Sequence, residues 1–353
     1  MKRLSRHLKN RSRQLPDFLP VLFFDKARVG SIVHPSRRKA RFYRCLVTAF
    51  SFNKLVIFGV GLIGGSLARA LRERAGATGE VVGVGRTIKS VERALELGLI
   101  DLAVPLDDDR ALELALRDAD FVLVAAPVAQ TEPLLRRIAP FLDARTILTD
   151  VGSTKNDVVA AARAALGDRV GQFVPGHPIA GRESSGPDAA IPDLYVDRNV
   201  VLCPLPENPP EVVERVADMW LATGASVHRM TAGQHDSVLA SVSHLPHVLS
   251  FALVEMILQA PDAALKFSFA AGGFRDFTRI AASSPEMWRD VCIANRVALL
   301  SEIDAYTNVL ARFRQAIETS DGAALEAAFE RSRTARTEWQ HGGAIKAADE
   351  SAH

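Results

Sequence analysis

The segment Lys54–Ser66, KLVIFGVGLIGGS, decides the fold, because an apolar run of strand length stops there at a glycine-rich turn. Gly59, Gly61 and Gly64 have GxGxxG spacing, which permits a tight turn, bares the backbone to a pyrophosphate and lets the next helix pack close to the strand. The start of that helix would direct free N–H groups at an anion. We therefore predict a dinucleotide-binding site formed by Gly59, Gly61, Leu62, Ile63 and Gly64.

Strand-like and helix-like segments alternate after this loop. Glu80–Gly85, Phe121–Ala125 and Thr146–Asp150 are short apolar runs typical of buried strands, and segments with helical periodicity lie between them. The alternation predicts an α/β fold with a Rossmann-like, doubly wound parallel sheet, whose ligands bind beyond the carboxyl ends of the strands. Residues 198–204 are predicted to form the last strand.

Beyond Glu211 the pattern becomes helical. Two segments carry apolar residues at alternating spacings of four and three, which is the pattern of a buried helix face. The first stripe comprises Val238, Val242, Leu245, Leu249, Ala252 and Met256, and the second comprises Leu299, Ile303, Tyr306, Leu310, Phe313 and Ile317. We expect a dinucleotide-binding domain over residues 52–205 and an all-helical substrate domain over 210–340, with the stripes available for a homodimer interface.

The first 50 residues differ in charge from the rest of the chain. They contain 13 Lys or Arg residues against two acids, Asp17 and Asp25, whereas the whole chain has a net charge of only +2. Such a basic segment suits a nucleic-acid-binding arm or a transit peptide. Because it lacks periodicity and precedes a complete-looking domain, we favour a disordered or non-native extension over residues 1–50, with Val47 as the true initiator.

Composition excludes several classes of protein. The three cysteines are odd in number and lack metal-type spacing, which argues against a disulfide framework or a zinc site and suits a reducing compartment. An uninterrupted apolar run of about 18 residues, the length needed to span a membrane, is missing from the sequence. We expect a cytoplasmic protein with no metal, no nucleic-acid partner and no membrane association.

The end of the second predicted strand bears on the choice of cofactor. NAD-specific folds usually place an acidic residue there to accept from the ribose 2′-hydroxyl, but this sequence has Gly85, Arg86 and Thr87. Arg86 could pair with a 2′-phosphate, or it could be a solvated loop residue. The sequence favours NADP and leaves NAD open.

Two polar motifs are expected to lie at the carboxyl ends of the strands. Ser153 lies in Asp150–Lys155, DVGSTK, where it could cap the next helix or take part in chemistry. His177 lies between Gly176 and Pro178 in a constrained loop. A histidine held in this way can act as a general base near neutral pH, although a purely structural role is an equal alternative.

The helical region contributes two further motifs. In SHLPH, Ser243 and His247 are four residues apart and should project together, while Pro246 should kink the helix between two histidines. Such histidines suit a pocket wall, or simply hydrogen-bonded core positions. Arg279 follows a pair of glycines and could grip a carboxylate bidentately.

Five motifs in order, GVGLIGGS, DVGSTK, GHPIAGRESSG, SHLPH and GGFRDFTRIAASSPEMW, make the chain resemble the prephenate/arogenate dehydrogenase family of tyrosine biosynthesis. The resemblance runs from about Phe52 to about Phe313. It implies a Rossmann-like domain followed by a helical dimerisation domain, with substrate bound between them. The implied reaction is oxidative decarboxylation of prephenate to 4-hydroxyphenylpyruvate, or of arogenate to tyrosine, with hydride transfer to NADP or NAD.

The resemblance also implies roles for individual residues. His177 would be the catalytic histidine that accepts a hydrogen bond from the ring hydroxyl of the substrate, with assistance from Ser153. Arg279 would hold a substrate carboxylate. Ser243 and His247 would be substrate-binding residues on the helical domain, with His244 as their neighbour.

Two alternatives remain at this point. Another two-domain NAD(P) dehydrogenase, acting on small hydroxy acids, would share the glycine loop but would need a lysine on the first long helix, and residues 231–258 contain none. A non-catalytic nucleotide-sensing protein would be expected to lack acid/base groups such as His177 and Ser153.

Overall fold

The computed structural model describes residues 50–341, apart from Glu183 and the side chain of Ser90. The described residues up to Gly322 group into one compact unit, and those from Ala323 onward belong to another. The predicted extension over residues 1–50, including Val47, falls outside the described residues but for Phe50.

Six parallel strands form the main sheet, in the order β3-β2-β1-β4-β5-β6. The strands are β1 Lys54–Phe58, β2 Glu80–Gly85, β3 Leu102–Pro105, β4 Phe121–Val124, β5 Ile147–Asp150 and β6 Phe173–Val174. The strand order changes direction at β1, so the carboxyl ends of β1 and β4 border a crevice of the kind in which dinucleotides bind.

Helices cover both faces of this sheet. They are α1 Leu62–Glu73, α2 Ile88–Glu96, α3 Asp109–Leu116, α4 Thr131–Ile138, α5 Asn156–Leu166 and α6 Pro210–Ala222. One buried cluster joins the sheet to α1, α2 and α6, and a second joins the opposite face to α3, α4 and α5. The predicted doubly wound parallel sheet is confirmed.

A smaller sheet holds β7 Gly176–Pro178, β8 Asn199–Leu202 and β9 Ser226–Arg229. Strand β8 pairs antiparallel with β7 and parallel with β9. The prediction that residues 198–204 form the last strand is therefore wrong. Strand β9 escaped notice because three of its four side chains are exposed, which leaves no buried apolar run to recognise.

The remaining elements are helical. They are α7 Ala232–Leu239, a π-helical segment Ala240–His244, α8 Leu245–Leu258, α9 Ala263–Ser268, α10 Gly272–Thr278, α11 Pro285–Ala294, α12 Arg296–Glu318 and α13 Gly322–Gln340. The π segment joins α7 to α8 without a break and lies just before Pro246, whose missing N–H cannot continue the α-helical ladder. The kink expected at this proline takes the form of a π segment.

The π segment also divides the first apolar stripe. Val242 is 68% exposed, whereas Leu245 is 8% exposed, so the stripe is buried only in part within a single chain. A helix that widens by a residue changes the direction of every side chain after it. Much of the apolar surface is left uncovered, including Met256 at 63% and, on α12, Ile317 at 65%.

The stretch Ala232–Leu258 has 27 residues and contains an 18-residue window with a mean hydropathy of 1.5, so by length and composition alone it could cross a membrane. Its first turns are built into the folded unit, since Asp236 accepts hydrogen bonds from the backbone at the start of α5. The absence of membrane association remains a prediction.

Candidate active site

The glycine loop is shaped by two close approaches of backbone to backbone. Gly59 has φ +96°, and a side chain there would lie 2.5 Å from the carbonyl oxygen of Ala125 on the neighbouring strand. A Cβ at Gly64 would lie 2.4 Å from the carbonyl oxygen of Gly59. These glycines hold β1, α1 and β4 together, while the third, Gly61, faces open space.

The first turn of α1 is open to an anion. Its N-cap residue is Gly61, and no side chain caps the helix, so the first backbone N–H groups are available. Leu62 and Ile63 belong to this turn and are part-buried against the core. The hydroxyl of Tyr195 donates to the carbonyl of Ile63 at 2.6 Å and so fixes the backbone of the loop.

A cleft of about 630 Å³ opens beside the glycine loop. Gly59, Gly61, Gly85, Arg86 and Thr87 line it, together with loop residues after β4. The cradle, the uncapped helix start and the volume of the cleft fit a dinucleotide. Within the described residues Arg86 is exposed and has no hydrogen-bond or ion-pair partner, so its guanidinium is available to a ligand.

A second cavity, of about 780 Å³, is lined by residues from the loop after β5, from the smaller sheet and the loop after β7, and from the helical region. Ser153, His177, Ser243 and His247 all line it, as does Trp288 of α11. Four residues that the sequence singled out separately are thus brought to one place.

Asp150 connects the segments that carry Ser153 and His177. Its carboxylate accepts from the backbone N–H of Gly152 at 2.8 Å and of Gly176 at 3.0 Å. It also forms a fully buried ion pair with Lys155. Because these bonds fix the residue before Ser153 and the residue before His177, one carboxylate sets the spacing of the two side chains.

His177 makes a contact that the sequence did not predict. Its Nδ1 lies 2.8 Å from Nε2 of His235, and Nδ1 of His235 lies 2.8 Å from Oδ1 of Asp236. Both partners lie in α7 and are buried. A histidine followed by an aspartate on a helix is not a recognisable motif, and only the fold brings these residues, 58 and 59 positions away, to His177.

The surroundings keep His177 neutral. Burial, and then the nearby His235, Lys155 and His244, lower the pKa of His177 well below its usual range. A neutral imidazole has one nitrogen that can accept a proton, which is the requirement for a general base at neutral pH. No hydrogen bond joins Ser153 to His177 within the described residues, although both line the cavity.

The two remaining histidines of the SHLPH motif differ in their surroundings. His247 stacks on Trp288 with ring centroids 3.6 Å apart, and its Nδ1 donates to the carbonyl of Ser243 at 2.8 Å. Burial lowers the pKa of His247, and the charge of Arg279 lowers it further. His247 and Ser243 therefore form a neutral, rigid part of the cavity wall.

His244 lies behind this wall and does not line the cavity, which contradicts its expected contact with a substrate. It is 1% exposed, and its Nδ1 accepts from the side-chain amide of Asn295 at 3.0 Å. Burial lowers the pKa of His244 to about 4. The widened π segment turns His244 into the interior while Ser243 faces the cavity.

The arginines near the cavity fall into two groups. Arg279, expected to hold a carboxylate, begins a short 3₁₀ turn, is exposed and lies close enough to influence His247, but it does not line the cavity. Arg182 and Arg198 do line it, and within the described residues neither guanidinium has a hydrogen-bond or ion-pair partner. Neither arginine was predicted from the sequence to bind a ligand.

No group of three or more His, Cys, Asp or Glu residues in the described part of the chain could hold a metal ion. Of the three cysteines, Cys203 and Cys292 are free thiols, and Cys45 lies outside the described residues.

Two family models match the chain. The prephenate dehydrogenase nucleotide-binding domain matches residues 67–229, and the prephenate dehydrogenase dimerization domain matches residues 231–331.

Curated relatives agree with these models. The chain is 35% identical to cyclohexadienyl dehydrogenase of Zymomonas mobilis over 288 residues, which cover 81% of this chain and 95% of the relative. It is 34% identical to prephenate dehydrogenase of Bacillus subtilis over 286 residues, covering 80% of this chain and 75% of the relative.

Solved structures give the same result. Prephenate dehydrogenase from Aquifex aeolicus in complex with hydroxyphenyl propionate and NAD+ matches with a TM-score of 0.77 and 32% identity, over 82% of this chain and 99% of that one. Synechocystis arogenate dehydrogenase matches with a TM-score of 0.69 and 30% identity, over 81% and 99%.

Proposed function

The chain belongs to the prephenate dehydrogenase family, and from this premise we propose that it catalyses the NAD(P)-dependent oxidative decarboxylation of prephenate, or of arogenate, in tyrosine biosynthesis. The observation that carries the proposal is the meeting of Ser153, His177, Ser243 and His247 at one cavity. Family membership removes the alternative of a small-hydroxy-acid dehydrogenase.

His177 is the proposed catalytic residue. The substrate ring has a carbon that bears both a hydroxyl and a hydrogen, opposite a carbon that bears a carboxylate. A nicotinamide cofactor held in the glycine cleft would supply the acceptor for the hydride that leaves the hydroxyl-bearing carbon. His177 takes the hydroxyl proton as positive charge grows on that carbon, and such general-base assistance is typically worth about 10²–10⁴-fold.

Loss of carbon dioxide then makes the ring aromatic, with the electrons of the broken carbon–carbon bond entering the ring. The resulting gain in stability makes the reaction effectively irreversible. Ser153 lies on the same cavity wall and is proposed to position the substrate hydroxyl. Arg279 is proposed to hold a carboxylate, a role that its exposure and its proximity to His247 support.

The glycine cleft is the proposed cofactor site. Gly59, Gly61 and Gly64, with the N–H groups of Leu62 and Ile63 at the start of α1, would receive the pyrophosphate. Arg86 and Thr87 would lie at the ribose end of the cofactor. The unpaired guanidinium of Arg86 supports a preference for NADP over NAD.

A homodimer formed through the helical region is also proposed. The matching family model is a dimerization domain, and α8 and α12 leave large apolar side chains uncovered. We place the domain boundary near residue 230, later than the expected 205–210, since α6 packs into the same cluster as β1 and β9 pairs with β8. A cytoplasmic location remains part of the proposal.

Turnover assays test the proposed function. Purified protein is mixed with prephenate or arogenate and with NAD or NADP, and the absorbance of the reduced cofactor is followed. We expect turnover with at least one pair, with identification of 4-hydroxyphenylpyruvate or tyrosine as the product. Inactivity in all four mixtures, with cofactor binding retained, would favour a non-catalytic nucleotide-sensing protein.

A further inference from the structure

We propose that His235 and Asp236 are positioning residues that fix the proton of His177 on Nδ1 and leave its Nε2 free as the base. The assignment of the proton follows from the geometry of three side chains. Its consequence for catalysis rests on the function proposed above.

Asp236 is the fixed end of the chain of hydrogen bonds. Its Oδ1 accepts from the backbone N–H of Lys155 at 2.8 Å and its Oδ2 from that of Asn156 at 2.8 Å, both at the start of α5. Burial would raise the pKa of the Asp236 carboxyl, but hydrogen bonds from His235 and from these two N–H groups outweigh burial and lower it. Asp236 is thus a carboxylate, which can only accept.

The first histidine takes its tautomer from this carboxylate. Nδ1 of His235 lies 2.8 Å from Oδ1 of Asp236, and an ionised carboxylate has no proton to give. The proton of the bond therefore lies on Nδ1 of His235. In the neutral ring, Nε2 of His235 is left with a lone pair and must accept.

The second histidine takes its tautomer from the first. The partner of His235 Nε2 is Nδ1 of His177, at 2.8 Å. Since His235 accepts there, His177 must donate, and its own proton lies on Nδ1. Nε2 of His177 is then unprotonated in a ring that lines the cavity.

The opposite tautomer would defeat the reaction. A His177 with its proton on Nε2 presents a donor, not an acceptor, to the substrate hydroxyl. Loss of the group that orients a catalytic histidine can cost up to about 10⁴-fold in kcat in the well-studied serine proteases. For loss of His235 we expect a smaller fall in kcat, because a water molecule can partly replace its ring as the acceptor for His177.

Asp236 also caps α5, so its removal would disturb the fold as well as the tautomer. His235 is the better position for a test. His235→Leu removes the acceptor for His177, whereas His235→Gln can place its side-chain oxygen near the former Nε2 and restore an acceptor. His228, an exposed histidine on β9 that contacts Asn199, provides the matched control variant His228→Leu.

Nitrogen-15 NMR of histidine-labelled wild-type protein tests the tautomer directly and needs no substrate. The His177 signals are assigned by their loss in His177→Asn. We expect a protonated Nδ1 and an unprotonated Nε2 for His177, and a mixture of tautomers in His235→Leu. A wild-type His177 that carries its proton on Nε2 overturns the proposal, even if every His235 variant fails to fold.

Steady-state kinetics test the consequence. His235→Leu should lower kcat by about 30-fold to 100-fold, with KM for substrate and cofactor changed by less than about threefold, and His235→Gln should recover about tenfold of the loss. His228→Leu should match the wild type. A folded Leu variant with wild-type kcat, or Gln and Leu variants equally impaired, contradicts the positioning role. The predicted tautomer in a wild type that turns over neither substrate would contradict the proposed function alone.

Discussion

The sheet region and the helical region of the compact unit differ in how far their apolar side chains are buried. In the sheet, Val56, Ile57 and Leu123 are all 0% exposed, and buried clusters lie on both faces. Of the 23 residues of α12, Leu299 alone is buried, while Val297 is 78% exposed. The sheet region thus makes its own core, but the helical region presents apolar surface that a single chain leaves in water.

The difference separates two sources of stability. A close-packed core stabilises a chain at any protein concentration. An uncovered apolar face contributes only when a second molecule covers it, so its contribution depends on concentration. The cavity of the candidate site draws on both regions, since His177 comes from the small sheet and its partner His235 from α7.

The largest expected effect tests the residue at which the two regions meet. His177→Asn should lower kcat by about 10³-fold, because asparagine cannot take the hydroxyl proton, while cofactor affinity stays within about twofold. Stopped-flow or steady-state absorbance gives kcat, and fluorescence titration gives the affinity. Full activity in this variant would remove His177 from the mechanism and leave the fold unaffected.

A charge on the uncovered face should break the assembly of the helical regions. Val297→Glu should weaken dimerisation by about 100-fold or more, since the symmetric interface would bury two carboxylates. Analytical ultracentrifugation over a concentration series measures the change. Leu114→Glu, at a 52% exposed position on α3 in the sheet region, is the matched control and should leave the mass unchanged. A dimer that tolerates Val297→Glu would place the interface elsewhere.

Low pH should destabilise the helical region through a buried histidine. The folded-state pKa of His244 is lowered from 6.5 to about 4, so the unfolded chain binds its proton first and stability falls as pH falls below about 6.5. The loss attributable to His244 should be about 2 kcal/mol between about pH 7.5 and about pH 5. Urea unfolding at several pH values, compared between the wild type and His244→Asn, measures this contribution of His244 to the free energy of unfolding. Asparagine keeps an acceptor for Asn295. Parallel pH profiles would exclude the effect.

The smallest expected effect concerns the sheet region alone. Arg86→Glu should shift the ratio of kcat/KM for NADP over NAD by about tenfold toward NAD, because a carboxylate repels a 2′-phosphate and can accept from a 2′-hydroxyl. Arg110→Glu, on α3, is the charge-matched control. An unchanged ratio in Arg86→Glu would show that the arginine does not face the ribose.

Much of the sheet region could be predicted from sequence because its determinants are local. Gly59 and Gly64 predict close backbone contacts because only glycine fits there, and apolar runs predict buried strands. Ser153 could be proposed as a site residue because it follows a predicted strand, and His177 because it stands between a glycine and a proline. The carboxyl ends of β5 and β6 then bring the two together. That functional residues gather at the carboxyl ends of parallel strands follows from the sheet topology, so it can be predicted without knowing any side-chain contact.

The missed residues depend on tertiary contacts without a local signal. His235 and Asp236 form a continuous network with His177 only after α7 packs beside the small sheet. Strand β9 has mostly exposed side chains and offers no apolar run. Arg182 and Arg198 reach the cavity from loops whose direction no periodicity encodes. His244 was misplaced because the spacing of residues in an ordinary α-helix does not apply to a π segment.

The π segment Ala240–His244 has a consequence for how this helix can vary. At 3.6 residues per turn, one residue corresponds to about 100° of rotation, so a single insertion resets the angular phase of everything that follows it. Upstream of the segment, α7 points His235 at His177, and downstream α8 points His247 at the cavity and Met256 at solvent. Deletion of one residue there would leave both halves helical but would rotate α8 so that His247 no longer faced the cavity. The length of this segment is therefore as closely constrained as any side chain.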